Sequence, residues 1–233
     1  MRDCSSFHII DGIRHPLVPL RRTISLTATF CGVALACAAA VSAAPTEHAY
    51  LLKTGQTQCD QGTGTLGACP GSPDGQEAAL SKGIARQYVD NGDGTITDLK
   101  TGLMWEKLSR DGSIHDYGKS YDWYNAIKTK ITALNSGKGF AGHTDWRLPN
   151  VNELHSLIDY GRQQPAVDPM FNKGCTVGCT AKKCGCTQSG YYWSSTSDAV
   201  KQNGAWLVGF AEGYVGAVYK DRVMFVRAVR GGP

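Results

Sequence analysis

Four cysteines in one short stretch are the residues of this 233-residue chain best suited to metal or redox chemistry. Cys175, Cys179, Cys184 and Cys186 lie within the stretch "CTVGCTAKKCGC". Four thiolates suit a soft ion such as zinc or copper, whereas the same cysteines form disulfides in an oxidising compartment. A single residue separates Cys184 from Cys186, unlike the usual spacing of about two to four residues in structural zinc sites. The spacing therefore favours two disulfides and leaves all three pairings open.

A group of acidic, basic and imidazole side chains could transfer protons. His143, Asp145, Arg147 and His155 lie in and just after the stretch "GHTDWRLPNVNEL". No nucleophile motif accompanies them, so the sequence favours a structural role and assigns no catalytic residue. His115 lies in a separate polar loop and is expected only to face water.

The same stretch predicts a rigid corner between an extended segment and a helix. Pro149 keeps the preceding residue out of the helical conformation. Asn150 and Glu153 have the spacing of a capping box. We expect Trp146 to fill the core and Arg147 to bind a carboxylate or backbone carbonyls through charge-assisted hydrogen bonds.

Three aspartates in "DNGDGTITD" raise the question of a calcium site. Placing Asp93 at the fifth position of an EF-hand loop puts Val89 first and Lys100 last, where carboxylates are needed. This excludes an EF hand. A calcium site of another kind, using Asp90, Asp93 and Asp98, is an alternative to a plain hairpin turn.

Basic side chains suggest two places where an anion could bind. Two lysines lie in the cysteine-rich loop, and a second group lies near the C-terminus. The spacing puts Arg222 and Arg230 on one strand face and Arg227 on the other. Such a face suits a sulfated or acidic glycan, although solvated lysines and edge-strand charges explain the pattern equally well. The candidate binding residues are Lys182, Lys183, Lys220, Arg222 and Arg230.

Two helices are predicted to support these groups. Residues 120–135 carry apolar side chains on one helical face, with Ser120 or Asp122 as the N-cap and Gly137 at the end. A second helix follows the corner and ends at Gly161. The first buried face consists of Trp123, Ile127, Ile131 and Leu134, and the second of Leu154, Leu157 and Ile158.

Strands account for most of the remaining pattern. "RQYVDNGDGTITD" predicts a hairpin and "TGLMWEK" a further strand, while "YYWSST", "GAWLVGF", "EGYVGAVY" and "RVMFVRAVR" predict a late series. Short connections favour antiparallel pairing. The predicted fold class is α+β, with two helices packed on short antiparallel sheets that disulfides reinforce.

The first residues have the features of a secretory signal peptide. Arg21 and Arg22 precede an apolar run over residues 24–41, and small residues allow cleavage after Ala43. An uncleaved anchor and a lipid anchor at Cys37 are the alternatives. Cleavage would leave 233 − 43 = 190 residues with a net charge of (24 − 4) − (20 − 2) = +2. That low charge argues against a nucleic-acid partner.

The chain therefore divides into a signal peptide (1–43), a loop-rich lead-in (44–85) and a globular domain (86–231). Six cysteines would remain after cleavage, and an even number in an exported chain indicates disulfides. Cys59 and Cys69 bracket a small Gly/Thr-rich loop in the lead-in and are expected to pair with each other.

Four ordered motifs resemble the Lcl C-terminal domain family. They are "DNGDGTITDLKTGLMWEK", "AGHTDWRLPNVNELHSLID", "YYWSST" and "AWLVGFAEGYV", followed by a terminal "VRAVRGG". The resemblance implies a C-type-lectin-like α+β fold, export and, as in the adhesin that names the family, binding of sulfated glycosaminoglycans. It implies no established enzyme activity.

The "RLP" corner also resembles the formylglycine-generating enzymes. Those enzymes bind copper through two cysteines separated by four residues, and Cys179 and Cys184 have that interval. Here the pair lies among further cysteines, ahead of the late strands and without the Arg-rich context of that family.

We therefore expect an exported, non-catalytic binding module without a cofactor, located in the periplasm, on the cell surface or outside the cell. Its expected partner is an acidic or sulfated glycan or another surface macromolecule. A structural or protein-interaction component of the envelope is the first alternative, and an oxidase the second. No membrane span is expected after signal cleavage.

Overall fold

A computed structural model of the chain describes residues 51–62, 64–69 and 75–232. The predicted signal peptide, residues 1–43, lies outside the described residues, as does the start of the predicted lead-in. The described chain has a mixed α+β fold in which sheet predominates. None of the helices in these ranges is both long and apolar enough to cross a membrane.

A four-stranded antiparallel sheet joins the start of the predicted domain to the end of the chain. The predicted hairpin is confirmed, and Gly92 and Gly94 take the positive φ angles of +75° and +104° that its turn requires. The last strand pairs with the third, so Val229 lies opposite Trp105. In the order β11-β5-β4-β3, the strands are β3 (Tyr88–Asp90), β4 (Thr95–Asp98), β5 (Leu103–Glu106) and β11 (Val229–Gly231).

A five-stranded sheet contains most of the late strands. Its pairings are antiparallel except one, because the strand that contains Phe225 runs parallel to the strand that contains Tyr192, and these two residues are paired. The sheet order is β6-β10-β7-β8-β9, and a separate two-stranded sheet lies in the lead-in. The strands are β1 (Cys59–Asp60), β2 (Leu66–Gly67), β6 (Ser120–Tyr121), β7 (Tyr191–Ser197), β8 (Gly204–Gly209), β9 (Val215–Tyr219) and β10 (Met224–Phe225).

The central strand of this sheet is buried on both faces. Adjacent residues of a strand point to opposite sides. Tyr192 accordingly belongs to a core cluster with Leu154, whereas Trp193 belongs to a second cluster with Leu134 and Trp146. Each predicted helix therefore contributes to a different core cluster.

The first predicted helix is present, but the prediction of its buried face is wrong at one position. α2 (Trp123–Asn125) leads into a π-helical segment, Ala126–Ile131, and then into α3 (Thr132–Leu134). Asp122 caps the start. The amide of Thr132 donates to the carbonyl of Ile127, five residues back, so the turn is wider than an α-helical turn. Ile127 is 38% exposed, and Ala126 and Lys130 are buried instead.

The corner and its capping box are confirmed. The Asn150 side chain accepts from the Glu153 amide at 2.9 Å, and the Glu153 carboxylate accepts from the Asn150 amide at 2.7 Å. The helix α4 is shorter than predicted (Val151–His155), so Gly161 does not end it. The chain leaves the helix early because Ile158 forms a β-bridge with Val167. The predicted apolar face is fully buried at Leu154, Leu157 and Ile158.

Two short helices complete the described elements. They are α1 (Glu77–Leu80) and a 3₁₀ turn, Pro169–Phe171, that Asp168 caps through the Met170 amide.

Replacing Asn150 with alanine should lower the free energy of unfolding by about 1 kcal/mol, because the first turn of α4 loses a side-chain acceptor. Chemical denaturation measures the loss. Asn152→Ala is the matched control, since Asn152 is exposed on the same helix. Equal stability of the Asn150→Ala protein and the wild type would contradict the capping role.

Candidate functional site

The described residues form three disulfides, and two of these lie in the loop that borders the candidate site. Cys59 pairs with Cys69, as predicted. The four later cysteines form one of the three open pairings, Cys175–Cys186 and Cys179–Cys184. The Cys186 sulfur lies 3.8 Å from that of Cys179 and 3.9 Å from that of Cys184, so the two later bridges touch. In this state the pair with the copper-site interval is itself a disulfide, and neither sulfur is a metal-binding thiolate.

The cysteine-rich loop is a locally basic segment. Residues 169–197 contain three lysines and no Asp or Glu. The backbone of Arg110 anchors the loop, because its amide donates to the Cys179 carbonyl and its carbonyl accepts from the Gly178 amide. Lys182 and Lys183, both predicted as binding residues, are exposed on this loop.

A groove of about 670 Å³ lies beside the loop. We call it the basic groove. Its lining includes residues 184 and 185, next to the Cys179–Cys184 bridge. Four cations and two carboxylates line it: Lys107, Arg162, Lys173, Lys183, Asp90 and Asp168.

Both carboxylates of the basic groove have partners of their own. Asp90 accepts from the Lys107 ammonium at 2.6 Å, and the Lys107 side chain is only 3% exposed. Desolvation alone would raise the pKa of Asp90, but the hydrogen bonds from Lys107 and the Gly92 amide, together with the charges of Lys107 and Lys173, hold that pKa below its ordinary value. Asp168 accepts from the Met170 amide at 2.8 Å. Neither carboxylate therefore forms an ion pair with the two exposed lysines of the groove.

The remaining cations of the basic groove are open to a ligand. Arg162 pairs with Asp159 at 3.1 Å, but its side chain is half exposed, and such surface pairs are weak. Among the described residues, no carboxylate lies within ion-pair distance of Lys173 or Lys183. Two exposed lysines that form no ion pair with a described carboxylate thus line one concave surface.

The predicted late basic cluster is not assembled as expected. Arg222 lies in the turn before β10, whereas Arg230 belongs to β11 in the other sheet. The prediction that they share a strand face is wrong, because the chain leaves strand conformation between Phe225 and Val229. Arg222 is exposed, and Arg230 donates to Asp145 at 2.7 Å.

Lys220, another predicted binding residue, is buried and makes its contacts inside the protein. Its ammonium donates to the Ser197 hydroxyl at 2.8 Å and to the Gln202 carbonyl at 3.1 Å. It also lies 4.4 Å from the centre of the Trp123 ring, within cation–π range. The side chain is therefore committed to internal contacts.

The three aspartates of the calcium alternative do not converge. Asp93 accepts from the amide and hydroxyl of Thr95, while Asp98 accepts from the Lys100 amide and the Thr101 hydroxyl. Within the part of the chain that the structure describes, the one group with metal-ligand spacing consists of cysteines. Asp93 and Asp98 instead stabilise the hairpin and the turn after it through these local hydrogen bonds.

The residues of the corner are bound in pairs rather than joined in a proton-transfer group. Arg147 makes a two-pronged contact with Glu153, both bonds at 2.7 Å, and also donates to the Gly231 carbonyl at 3.1 Å. His155 bonds the Tyr160 hydroxyl at 2.8 Å. Trp146 is 2% exposed and fills the core, which confirms the structural interpretation of this stretch.

Sequence reasoning missed a buried group of charges. Glu106 has no solvent exposure, and one of its oxygens accepts from Lys130 at 2.9 Å and from His115 at 2.8 Å. Its other oxygen accepts from the Ala228 amide at 3.0 Å. The expectation that His115 only faces water is wrong, since its ring bonds Glu106 and packs against Phe140 with centroids 4.2 Å apart.

The protonation of this group follows from its contacts. Desolvation alone would raise the pKa of Glu106, but the charge of Lys130 and the hydrogen bond from His115 hold it at about 2. Burial lowers the pKa of Lys130, and the adjacent Glu106 opposes that effect. A carboxylate with three donors and so low a pKa suits a structural anion, because a general base works best with a pKa near the ambient pH.

Arg227 connects this group to the disulfide loop. Its fully buried guanidinium donates to the Glu106 carbonyl at 2.8 Å, the Cys186 carbonyl at 3.0 Å and the Thr187 hydroxyl at 2.7 Å. The base of the loop is thereby fixed to β5.

The sequence pattern of the Lcl C-terminal domain family matches residues 94–230, which is 137 of the 233 residues. The chain therefore belongs to the Lcl C-terminal domain family, as the ordered motifs predicted. No curated protein matches the chain.

Peptide mapping without reduction should recover three linked pairs, Cys59–Cys69, Cys175–Cys186 and Cys179–Cys184, in protein purified from an oxidising compartment. Because Cys179 and Cys186 touch across the two later bridges, alkylation at acidic pH must precede digestion to prevent exchange. A different pairing of the four later cysteines would contradict the arrangement around the basic groove.

Glu106→Gln should lower the free energy of unfolding by about 3 kcal/mol, because it leaves Lys130 buried without its counter-ion. Glu212→Gln, at an exposed carboxylate, is the control. Since the pKa of Glu106 is depressed on folding, its stabilisation is complete above the unfolded value of 4.5 and is lost as the pH falls towards about 2.

Denaturation at several pH values tests this assignment. The wild type should lose stability across that acidic window more steeply than Glu106→Gln. Parallel curves for the two proteins would mean that Glu106 is not a buried anion.

Proposed function

We propose that this chain is an exported, non-catalytic binding module with a C-type-lectin-like fold, and that its basic groove binds an acidic or sulfated glycan. The observation that carries the proposal is that two exposed lysines without an ion-pair partner, Lys173 and Lys183, line a groove of about 670 Å³. Carboxylate or sulfate groups of a glycan would supply the missing counter-charge.

The construction of the basic groove supports a binding role. Lys183 projects from a loop that two disulfides and Arg227 hold in place, so little backbone order has to be gained on binding. Arg162 adds a guanidinium that can turn from a weak surface pair towards a sulfate or carboxylate. The groove thus combines a loop backbone that crosslinks hold in place with long cationic side chains.

The modest charge of the chain is compatible with this role. The formal net charge is +4 over all 233 residues, but the groove concentrates cations where residues 169–197 carry no acid. Local potential rather than net charge determines where an anionic ligand collects. Such contacts are exposed, so salt should weaken them.

Export is supported by the cysteines and by the leader. Three disulfides are typical of proteins that mature in an oxidising compartment. The apolar run at residues 24–41 with its preceding arginines supplies the signal for export. The proposed location is the periplasm, the cell surface or the extracellular space.

A second candidate function is a protein-interaction component of the cell envelope. One observation favours it: Val177 is 81% exposed within the disulfide loop. An apolar side chain presented by a crosslinked loop suits a protein contact.

Replacing both Lys173 and Lys183 with glutamine should cause earlier elution from a heparin column and about tenfold weaker binding of a heparin decasaccharide. The matched control replaces Lys100 and Lys128, which are exposed but do not line the groove. Isothermal titration at low and high salt gives the affinities.

Two outcomes would contradict the proposal. Equal losses in the groove variant and the control would indicate nonspecific attraction to net charge. No binding of the wild type to heparin, chondroitin sulfate or hyaluronan would favour the protein-interaction candidate, which a Val177→Ser variant would then address.

A further inference from the structure

Three exposed tyrosines gather at one end of the five-stranded sheet. Tyr160, Tyr191 and Tyr214 are 43%, 48% and 56% exposed. Tyr191 lies opposite Gly209 in the β7–β8 register, and the Tyr214 carbonyl accepts from the Gly209 amide at 2.7 Å. The rings of Tyr191 and Tyr214 have centroids 6.0 Å apart and planes at 76° to each other. We call these three residues the tyrosine platform.

Glycines in the sheet make room for two of the rings. A Cβ placed on Gly209 would lie 3.0 Å from a ring carbon of Tyr191. One placed on Gly216 would lie 2.6 Å from a ring carbon of Tyr214. Side chains at these positions would occupy the space of the rings, so the rings rest directly against the backbone.

The third tyrosine is held by polar contacts and by another glycine. The Tyr160 hydroxyl donates to the Gly213 carbonyl at 3.3 Å and bonds the His155 ring at 2.8 Å. A Cβ on Gly213 would lie 2.6 Å from a Tyr160 ring carbon. The platform is therefore positioned before any ligand arrives, which lowers the entropic cost of binding.

The surface of the platform is nearly free of charge. Residues 202–219 contain no Lys or Arg and a single acid, Glu212. Burial, with the charge of Arg86, lowers the pKa of His155 and so favours its neutral form. An anionic group gains little here, whereas a neutral ring with an apolar face and polar edges matches exposed aromatic rings that carry hydroxyls.

The platform lies next to the basic groove along the chain. Tyr160 belongs to the platform, and Arg162, two residues later, lines the groove. Two residues span at most about 7 Å. The Tyr160 edge of the platform therefore lies beside the Arg162 end of the basic groove.

We propose that the tyrosine platform is a subsite for a neutral sugar ring of the glycan whose acidic residues bind in the basic groove. This inference rests on the proposed function. The C–H groups on one face of a pyranose pack against a tyrosine ring, and this stacking supplies most of the contact. The ligand class is thus an acidic polysaccharide in which charged and neutral sugars alternate.

The test uses two probes: a hyaluronan decasaccharide, in which carboxylate-bearing and neutral sugars alternate, and poly-L-glutamate, which has charge but no sugar rings. Tyr191→Ala and Tyr214→Ala should each weaken hyaluronan binding about tenfold and leave poly-L-glutamate binding unchanged. Replacing Lys173 and Lys183 with glutamine should weaken both. Tyr124→Ala removes a 49% exposed tyrosine outside the platform and should change neither.

Tyr214→Phe keeps the ring and should bind hyaluronan within about twofold of the wild type, which separates stacking from misfolding. Unchanged hyaluronan affinity in both alanine variants would overturn the platform while the proposed function stands. Binding of heparin without binding of hyaluronan would have the same meaning. A wild type that binds neither glycan would overturn the proposed function and the platform together.

Discussion

The buried anion of Glu106 is the interaction on which the rest of the structure depends. Its carboxylate joins three parts of the chain: Lys130 of the π-helical segment, His115 of a polar loop and the Ala228 amide before β11. Removing a charged pair from water costs several kcal/mol per ion unless each remaining donor and acceptor is satisfied. The three donors to Glu106 supply that satisfaction, and this fixes where the helix, the loop and the last strand meet.

The disulfide loop that borders the basic groove is attached to this buried group. Arg227 binds the carbonyl of Glu106 on one side and the Cys186 and Thr187 groups on the other, so the disulfide loop is attached to the most constrained part of the core. Two bridges within the loop hold the backbone that carries Lys183. A cationic surface held in this way is prepared for an anion before the anion arrives.

The sequence predicted local features well and long-range contacts poorly. The capping box at Asn150, the hairpin at residues 91–94 and the Cys59–Cys69 bridge depend on neighbours along the chain, and all three are confirmed. The π-helical turn was missed because Lys130 turns inward towards a partner 24 residues away, which periodicity does not encode. The basic groove was missed in part because Lys173 and Arg162 come from separate segments. Its detectable signal was the absence of acids over residues 169–197.

Charge compensation, rather than charge density, separates structural cations from candidate binding cations in this fold. The densest basic stretch lies near residues 220–230, yet Lys220 is enclosed by polar groups and Trp123, Arg227 is buried, and Arg230 is paired. Lys173 and Lys183 belong to a sparser stretch, but neither forms an ion pair with a described carboxylate. An anionic ligand gains most where the protein has left a cation exposed and unpaired, because no existing ion pair has to be broken. The same reasoning assigns a neutral sugar to the tyrosine platform, where the chain provides aromatic surface and where residues 202–219 contain no Lys or Arg.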